Sequence, residues 1–276
     1  SLLPPPMSEG NAVTTLVNGE HIFPAMLEAI ASAQQAICFE TFIYWSGAIG
    51  RAFVDALSER ARAGVRVHVL IDWLGSVSID SAYIRDLEGA GVQVALYHPL
   101  RWYNTWRINH RTHRKFLIVD GRVGFTGGVG IADEWDGAAD RPDRWRDNHY
   151  RLEGPSVAQM QSAFMDNWIR THARVLHGPE YFPPLTECGQ CVTQLFSSSP
   201  QEGSESVRLM YLLSIASAAK SIKLASAYFI PDDLAVTTLV EAGKRGIDVE
   251  IVVPGPRIDR KVARPASRAR SRPLLE

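Results

Sequence analysis

Five residues with fixed spacing carry the chemistry this chain offers: His113, Lys115, Asp120, Gly127 and Gly128, written H-x-K-x4-D-x6-G-G. An imidazole can act as a nucleophile or carry a proton, and an ammonium can hold a phosphate oxygen. A glycine pair lets backbone approach a phosphate closely and turn N–H groups toward it. Such a set can break a phosphodiester without a metal or a cofactor, and none is expected. The surrounding residues supply a frame. Lys115-Phe116-Leu117-Ile118-Val119 is apolar and β-branched, Asp120-Gly121 follows, and Val123-Gly124-Phe125 comes next. This reads as two strands joined by an Asp-Gly turn. Side chains alternate along a strand, so His113 and Lys115 point the same way. Asp120 has the opposite parity. It belongs to the signature, yet its position predicts a turn-former and strand-end anchor.

The elements that must position these residues follow from hydrophobic period. Phe23, Met26, Leu27 and Ile30 recur at helical spacing and predict a helix over 21–33. A strand is expected over 36–44, a helix from Ile49 to Ala61 that Gly64 stops, and a buried strand over 65–72. A short helix over 80–89 and a strand over 92–97 precede the hairpin; Pro155 is expected to start a helix reaching Ala173. Strands alternating with helices predict a layered α/β/α sandwich with a mixed central sheet. The stretch 178–206 is rich in Pro, Gly, Ser and Glu and reads as a linker. Beyond it the chain repeats itself: Ala29-Ile30-Ala31-Ser32-Ala33 matches Ser214-Ile215-Ala216-Ser217-Ala218, and Ile37–Tyr44 matches Ile222–Phe229. The expected organisation is a duplication: a first half over 11–177, the linker, and a partial second half over 207–276.

The signature resembles the HKD motif of the phospholipase D superfamily, and other segments resemble bacterial cardiolipin synthases. These are Phe39-Glu40-Thr41-Phe42-Ile43-Tyr44, the loop Gly127–Trp135, Trp145-Arg146-Asp147, Glu153-Gly154-Pro155 and Ala227–Asp232. The resemblance implies a phospholipase D-like duplicated fold whose second half stops before its own signature. It implies transfer between phosphatidylglycerol molecules through a phosphohistidine, with His113 as nucleophile by family habit. In the family an acidic residue at the start of the next strand orients that histidine, a place Asp147 occupies here. The catalytic set implied is thus His113, Lys115, Asp120 and Asp147. Gly127, Gly128, Glu40, Tyr44 and Arg111 form the expected substrate-binding set. Many members carry Asn where Gly130 stands, so that contact to phosphate is missing here.

Composition narrows the partners. A formal charge of −1 over 276 residues does not argue for a nucleic-acid binder. No run of eighteen apolar residues is present, so no membrane span is expected. The N-terminus lacks the basic start and apolar core of a signal peptide, and it has no initiator Met. The loop 101–111 interleaves Arg with Trp and Tyr and contains no acid, which suits anionic lipid at a membrane surface. The same loop suits single-stranded nucleic acid, or an ordinary lid. The stretch Arg257–Arg272 is basic as well. Glu40 and Asp72 are read either as lining the site or as capping strands, and Asp133 and Glu134 as rim or helix N-terminus. Cys38 reads as core. Cys188-Gly-Gln-Cys191 has no second pair and reads as free thiols rather than half a zinc site. Three functions are therefore carried forward. The first is a peripheral phosphatidyltransferase at the cytoplasmic face of the membrane, acting on phosphatidylglycerol. The others are a hydrolase of the same fold, phospholipase D or nucleic-acid phosphodiesterase, and an inactive lipid-binding fragment. Oligomeric state is not legible.

Overall fold

The computed structural model describes residues 5–99, 111–196, 205–255, 263–271 and 274. It divides into two units, Ser1–Glu202 and Gly203–Glu276. The first unit runs β1 (Ser8–Val17), α1 (Gly19–Ser32), β2 (Ala36–Thr41), α2 (Ala48–Arg62), β3 (Arg66–Asp72), α3 (Ser81–Gly89), β4 (Gln93–Tyr97), β5 (Phe116–Val119), β6 (Val123–Gly127), β7 (Asn148–Glu153), α4 (Val157–His172) and β8 (Cys191–Thr193). These strands form one mixed sheet, ordered β4-β3-β2-β5-β6-β7-β1-β8. β2, β3 and β4 are parallel, joined by helical crossovers. From β5 onward each neighbour is antiparallel.

β2 explains why there are three layers. All six of its residues are buried, so both faces must be covered. Ile37 and Phe39 pack with Ile22, Phe23 and Ile30 of α1 and with Phe53 and Leu57 of α2. Ala36 and Cys38, of opposite parity, pack with Val157, Met160, Phe164 and Trp168 of α4. Each of these large side chains contributes about 1.5–3 kcal/mol on burial, so neither helical layer is dispensable. The layered architecture expected from the alternation of elements is the one observed.

Two strands escaped the sequence reading. β1 is largely polar, and β8 has three residues that pair with it around a register shift. Asn11, fully buried in β1, donates through Nδ2 to Ser8 O at 2.8 Å and accepts from Ser156 N at 2.8 Å. The stretch expected to be a linker also folds back on the first unit. Tyr181 is buried with its hydroxyl 2.8 Å from His68 Nε2, and Leu185 and Leu195 pack on the α4 layer. Pro155 does not start α4; it lies two residues before Val157. Cys188 and Cys191 are exposed and free, and Cys38 is buried.

The second unit runs α5 (Glu205–Ser217), β9 (Ser221–Ala225), α6 (Asp233–Lys244), β10 (Asp248–Val252) and α7 (Ala263–Ser271). β9 and β10 are parallel, and Ile215, Phe229, Leu239 and Ala242 form their core. The order helix, strand, helix, parallel strand is that of α1, β2, α2 and β3. Arg270 of α7 pairs with Asp233 of α6. Among the described residues no helix is long and apolar enough to cross a membrane.

Candidate active site

The signature straddles the start of β5. His113 and Lys115 lie in the irregular segment just before Phe116, and the strand begins one residue later than the sequence suggests. They nevertheless meet as their parity predicts. Lys115 Nζ is 3.0 Å from His113 O, which accepts from it, and 3.3 and 3.4 Å from the two ring nitrogens. Phe42, just past the end of β2, closes one side. Its ring centroid lies 4.9 Å from that of His113 and 5.9 Å from Lys115 Nζ. His113 is exposed, whereas Lys115 is buried behind it. Desolvation against this wall, with the Lys115 charge second, pushes the His113 imidazole down to about 4. Desolvation pulls Lys115 down to about 8, opposed by the Asp147 charge.

Thr112, which the sequence reading passed over, anchors this segment. Its N–H donates to Asp72 Oδ2 at 3.1 Å, and its hydroxyl donates to Glu40 Oε1 at 2.5 Å. Asn167 of α4 donates to the same Glu40 oxygen at 2.7 Å. Asp72 also accepts from Leu74 N and Gly75 N, and Arg111 Nη1 stands 3.8 Å from it while donating to His98 O at 2.8 Å. Glu40, Asp72 and Arg111 are thus brought together, but as a clamp on the chain entering the signature. Glu40 is fully buried, and desolvation raises its pKa against the pull of the Thr112 bond. Tyr44 is displaced from the expected set altogether: it is fully buried, and its hydroxyl donates to Gly50 O at 2.9 Å.

Asp120 sits at the far end of β5 from Lys115. It takes a left-handed conformation, φ 52°, in the turn between β5 and β6. Its carboxylate accepts from the N–H groups of Gln34, Gln35 and Ala36 at 2.8, 2.7 and 2.9 Å, fixing the entry to β2. Asp147, just before β7, lies near the signature. It accepts from Asn148 N at 2.8 Å and from Trp135 Nε1 at 3.3 Å, and its charge acts on Lys115. Desolvation raises its pKa. Among the described residues its hydrogen bonds do not include one to the His113 ring. Asp133, the first residue of the short 3-10 helix Asp133–Trp135, caps α2, accepting from Ala48 N at 3.0 Å and Ile49 N at 2.9 Å.

The glycine pair is explained by the neighbouring strand. A Cβ on Gly128 would fall 2.0 Å from Asp147 Oδ1, and one on Gly127 would fall 2.6 Å from His149 Nδ1. Gly128→Ala should therefore cost about 1–3 kcal/mol of stability through overpacking and lower activity by pushing Asp147 from Lys115. Urea unfolding with a parallel rate assay checks this; wild-type stability would show that Asp147 has room to move. Gly130 is equally confined, with Ile43 Cβ 2.7 Å from where its own Cβ would stand. An Asn there would need a different path for residues 43–44. Residues 101–110 of the aromatic loop, and 257–262 and 272 of the basic stretch, lie outside the described residues.

Known proteins resemble this chain in sequence and in fold. Residues 26–135 match the family described as cardiolipin synthase, PLD-like domain. The chain is 37% identical over 274 residues to a cardiolipin synthase of Geobacillus thermodenitrificans (strain NG80-2), covering 98% of this chain and 54% of that protein. It is 33% identical over 263 residues to cardiolipin synthase A of Pseudomonas putida, covering 95% and 54%. The chain thus spans about half the length of the curated relatives it matches. Its fold is similar to that of phosphatidylserine synthase from Haemophilus influenzae Rd KW20, with a TM-score of 0.64 at 14% identity, over 87% of this chain and 61% of that one. Signature and family match point the same way: this chain carries an HKD signature and is similar to the bacterial cardiolipin synthases.

Proposed function

We propose that this chain carries the first catalytic signature of a cardiolipin synthase-type phosphatidyltransferase. Its substrate is phosphatidylglycerol, met at the cytoplasmic face of the membrane. The observation supporting this most directly is an exposed His113 ring held against a buried ammonium, on a segment clamped at Thr112. A neutral His113 nitrogen attacks phosphorus, the bond to the glycerol oxygen breaks, and that oxygen takes a proton from the histidine of a second signature. That histidine then removes the proton of an acceptor hydroxyl on another phosphatidylglycerol. The hydroxyl oxygen attacks phosphorus, the phosphorus–nitrogen bond breaks, and cardiolipin leaves. Splitting one displacement into two lowers each barrier. Lys115 and the backbone at Gly127 and Gly128 stabilise charge on the equatorial oxygens. Asp147, through its charge on Lys115, keeps that ammonium protonated.

The test is an assay of the full-length protein on labelled phosphatidylglycerol vesicles. Cardiolipin with free glycerol supports the transferase, whereas phosphatidic acid alone makes the protein a hydrolase. The pH profile tests the roles. Attack requires His113 unprotonated, so the rate should rise through about pH 4. Charge stabilisation requires Lys115 protonated, so the rate should fall through about pH 8. An alkaline limb at the ordinary lysine pKa, near ~10.4, would remove Lys115 from the role given to it.

A further inference from the structure

His149 is a buried imidazole with no assigned role. It is 1% exposed, and neither ring nitrogen has a hydrogen-bond partner among the described residues. Buried polar groups are rarely left so, because desolvation is then uncompensated. The sheet register shows what it faces. Gly127 of β6 pairs with His149 of β7, and Thr126 pairs with Phe116 of β5. Lys115 immediately precedes β5, and continuing the same register by one residue brings it opposite Gly127. Lys115, Gly127 and His149 then fall in one row, with side chains on one side of the sheet. The middle position has no side chain, and the His149 ring leans into that space: this is the 2.6 Å approach that a Cβ on Gly127 would meet. Lys115 and His149 line the same small cavity beneath α1, with Met26, Phe39, Val129 and Ile131.

We propose that His149 is a positioning residue for Lys115, its neutral ring offering the ammonium an acceptor on the β7 side of the site. The need arises during turnover. Lys115 now lies against the His113 ring, and that contact is lost once the ring nitrogen is bonded to phosphorus. Asp147, just before β7, and His149 within it then hold the ammonium from behind while its remaining N–H groups face the phosphoryl oxygens. His149 must be neutral to accept. Burial, with the Lys115 charge second, pushes its pKa down to about 3, so it stays neutral over the working range. The titratable groups around Lys115 are His113, Asp147 and His149; Glu40 of β2 lines the same cavity, its carboxylate accepting from Thr112 and Asn167. The end of β2, α1 and the loop after β6 present Phe42, Met26, Val129 and Ile131, none of which titrates.

The inference rests on Lys115 as the phosphate ligand, and its test needs no turnover. Sulfate, doubly charged from pH 6 to 10, serves as the probe, and calorimetry on the full-length protein reads its affinity against pH. In the wild type the affinity should fall through about pH 8 as Lys115 loses its proton. In His149→Leu the fall should move down by about one pH unit, because the charged lysine has lost an acceptor. His149→Gln should restore most of the wild-type profile. A folded His149→Leu protein with an unchanged profile overturns the proposal. Should His149→Leu fail to fold, His149→Met fills the space flexibly without an acceptor and is read the same way. If wild-type sulfate affinity ignores pH near 8, Lys115 is not the anion ligand and both readings fall. Sulfate binding as expected without cardiolipin formation refutes only the transferase.

Discussion

Replacing His113 with Ala in the full-length protein is expected to lower phosphatidyl transfer by at least about 10³-fold, since removing a nucleophile leaves only binding and charge stabilisation. The structure makes this a clean substitution. The ring is exposed, its neighbours are Phe42 and Lys115, and the backbone is held by Thr112 rather than by the imidazole. Stability should therefore change little, within ~0.5 kcal/mol as for surface positions. The measurement is product formation on phosphatidylglycerol vesicles alongside a thermal melt. Transfer persisting within tenfold of wild type in a folded variant would sink the nucleophile assignment and shift attention to the second signature's histidine.

The second large effect falls on stability and separates two residues that the signature alone does not distinguish. Asp120→Asn should cost about 2–4 kcal/mol, because a charged acceptor of three backbone N–H groups becomes a neutral amide with one acceptor oxygen. Asn tolerates the left-handed backbone at φ 52°, so the loss reports the hydrogen bonds rather than strain. The rate per folded molecule should stay within a few-fold, since Asp120 lies at the far end of β5 from Lys115. Asp147→Asn should do the reverse: a modest loss of stability and a fall in rate of about 10–100-fold, as one charge beside Lys115 is removed. Urea unfolding and initial rates on both variants decide. If Asp120→Asn is the slower enzyme and Asp147→Asn the less stable protein, the division of labour drawn here is wrong.

What the sequence determined alone was local and periodic. The spacing of His113 and Lys115, two residues apart ahead of an apolar run, predicted that they point the same way; the contact between them is seen only in the structure. Strand parity removed Asp120 from the phosphate side, and the structure finds it bonded to the start of β2. The period of 3.6 located the helices, and the repeated Ile-Ala-Ser-Ala run anticipated a second unit with the same order of elements. β1 and β8 were not legible, because a short polar strand is defined by its partners rather than by its own pattern. Tyr44 looked like a site residue on its strand, yet the turn that follows drives it into the core against Gly50. Glu40, Asp72 and Asn167 converge on Thr112 from 72, 40 and 55 residues away. His149 lines one cavity with Lys115, its ring beside the place where a Gly127 side chain would stand. Periodicity tells which face a side chain occupies; the closing of the sheet decides what stands opposite it.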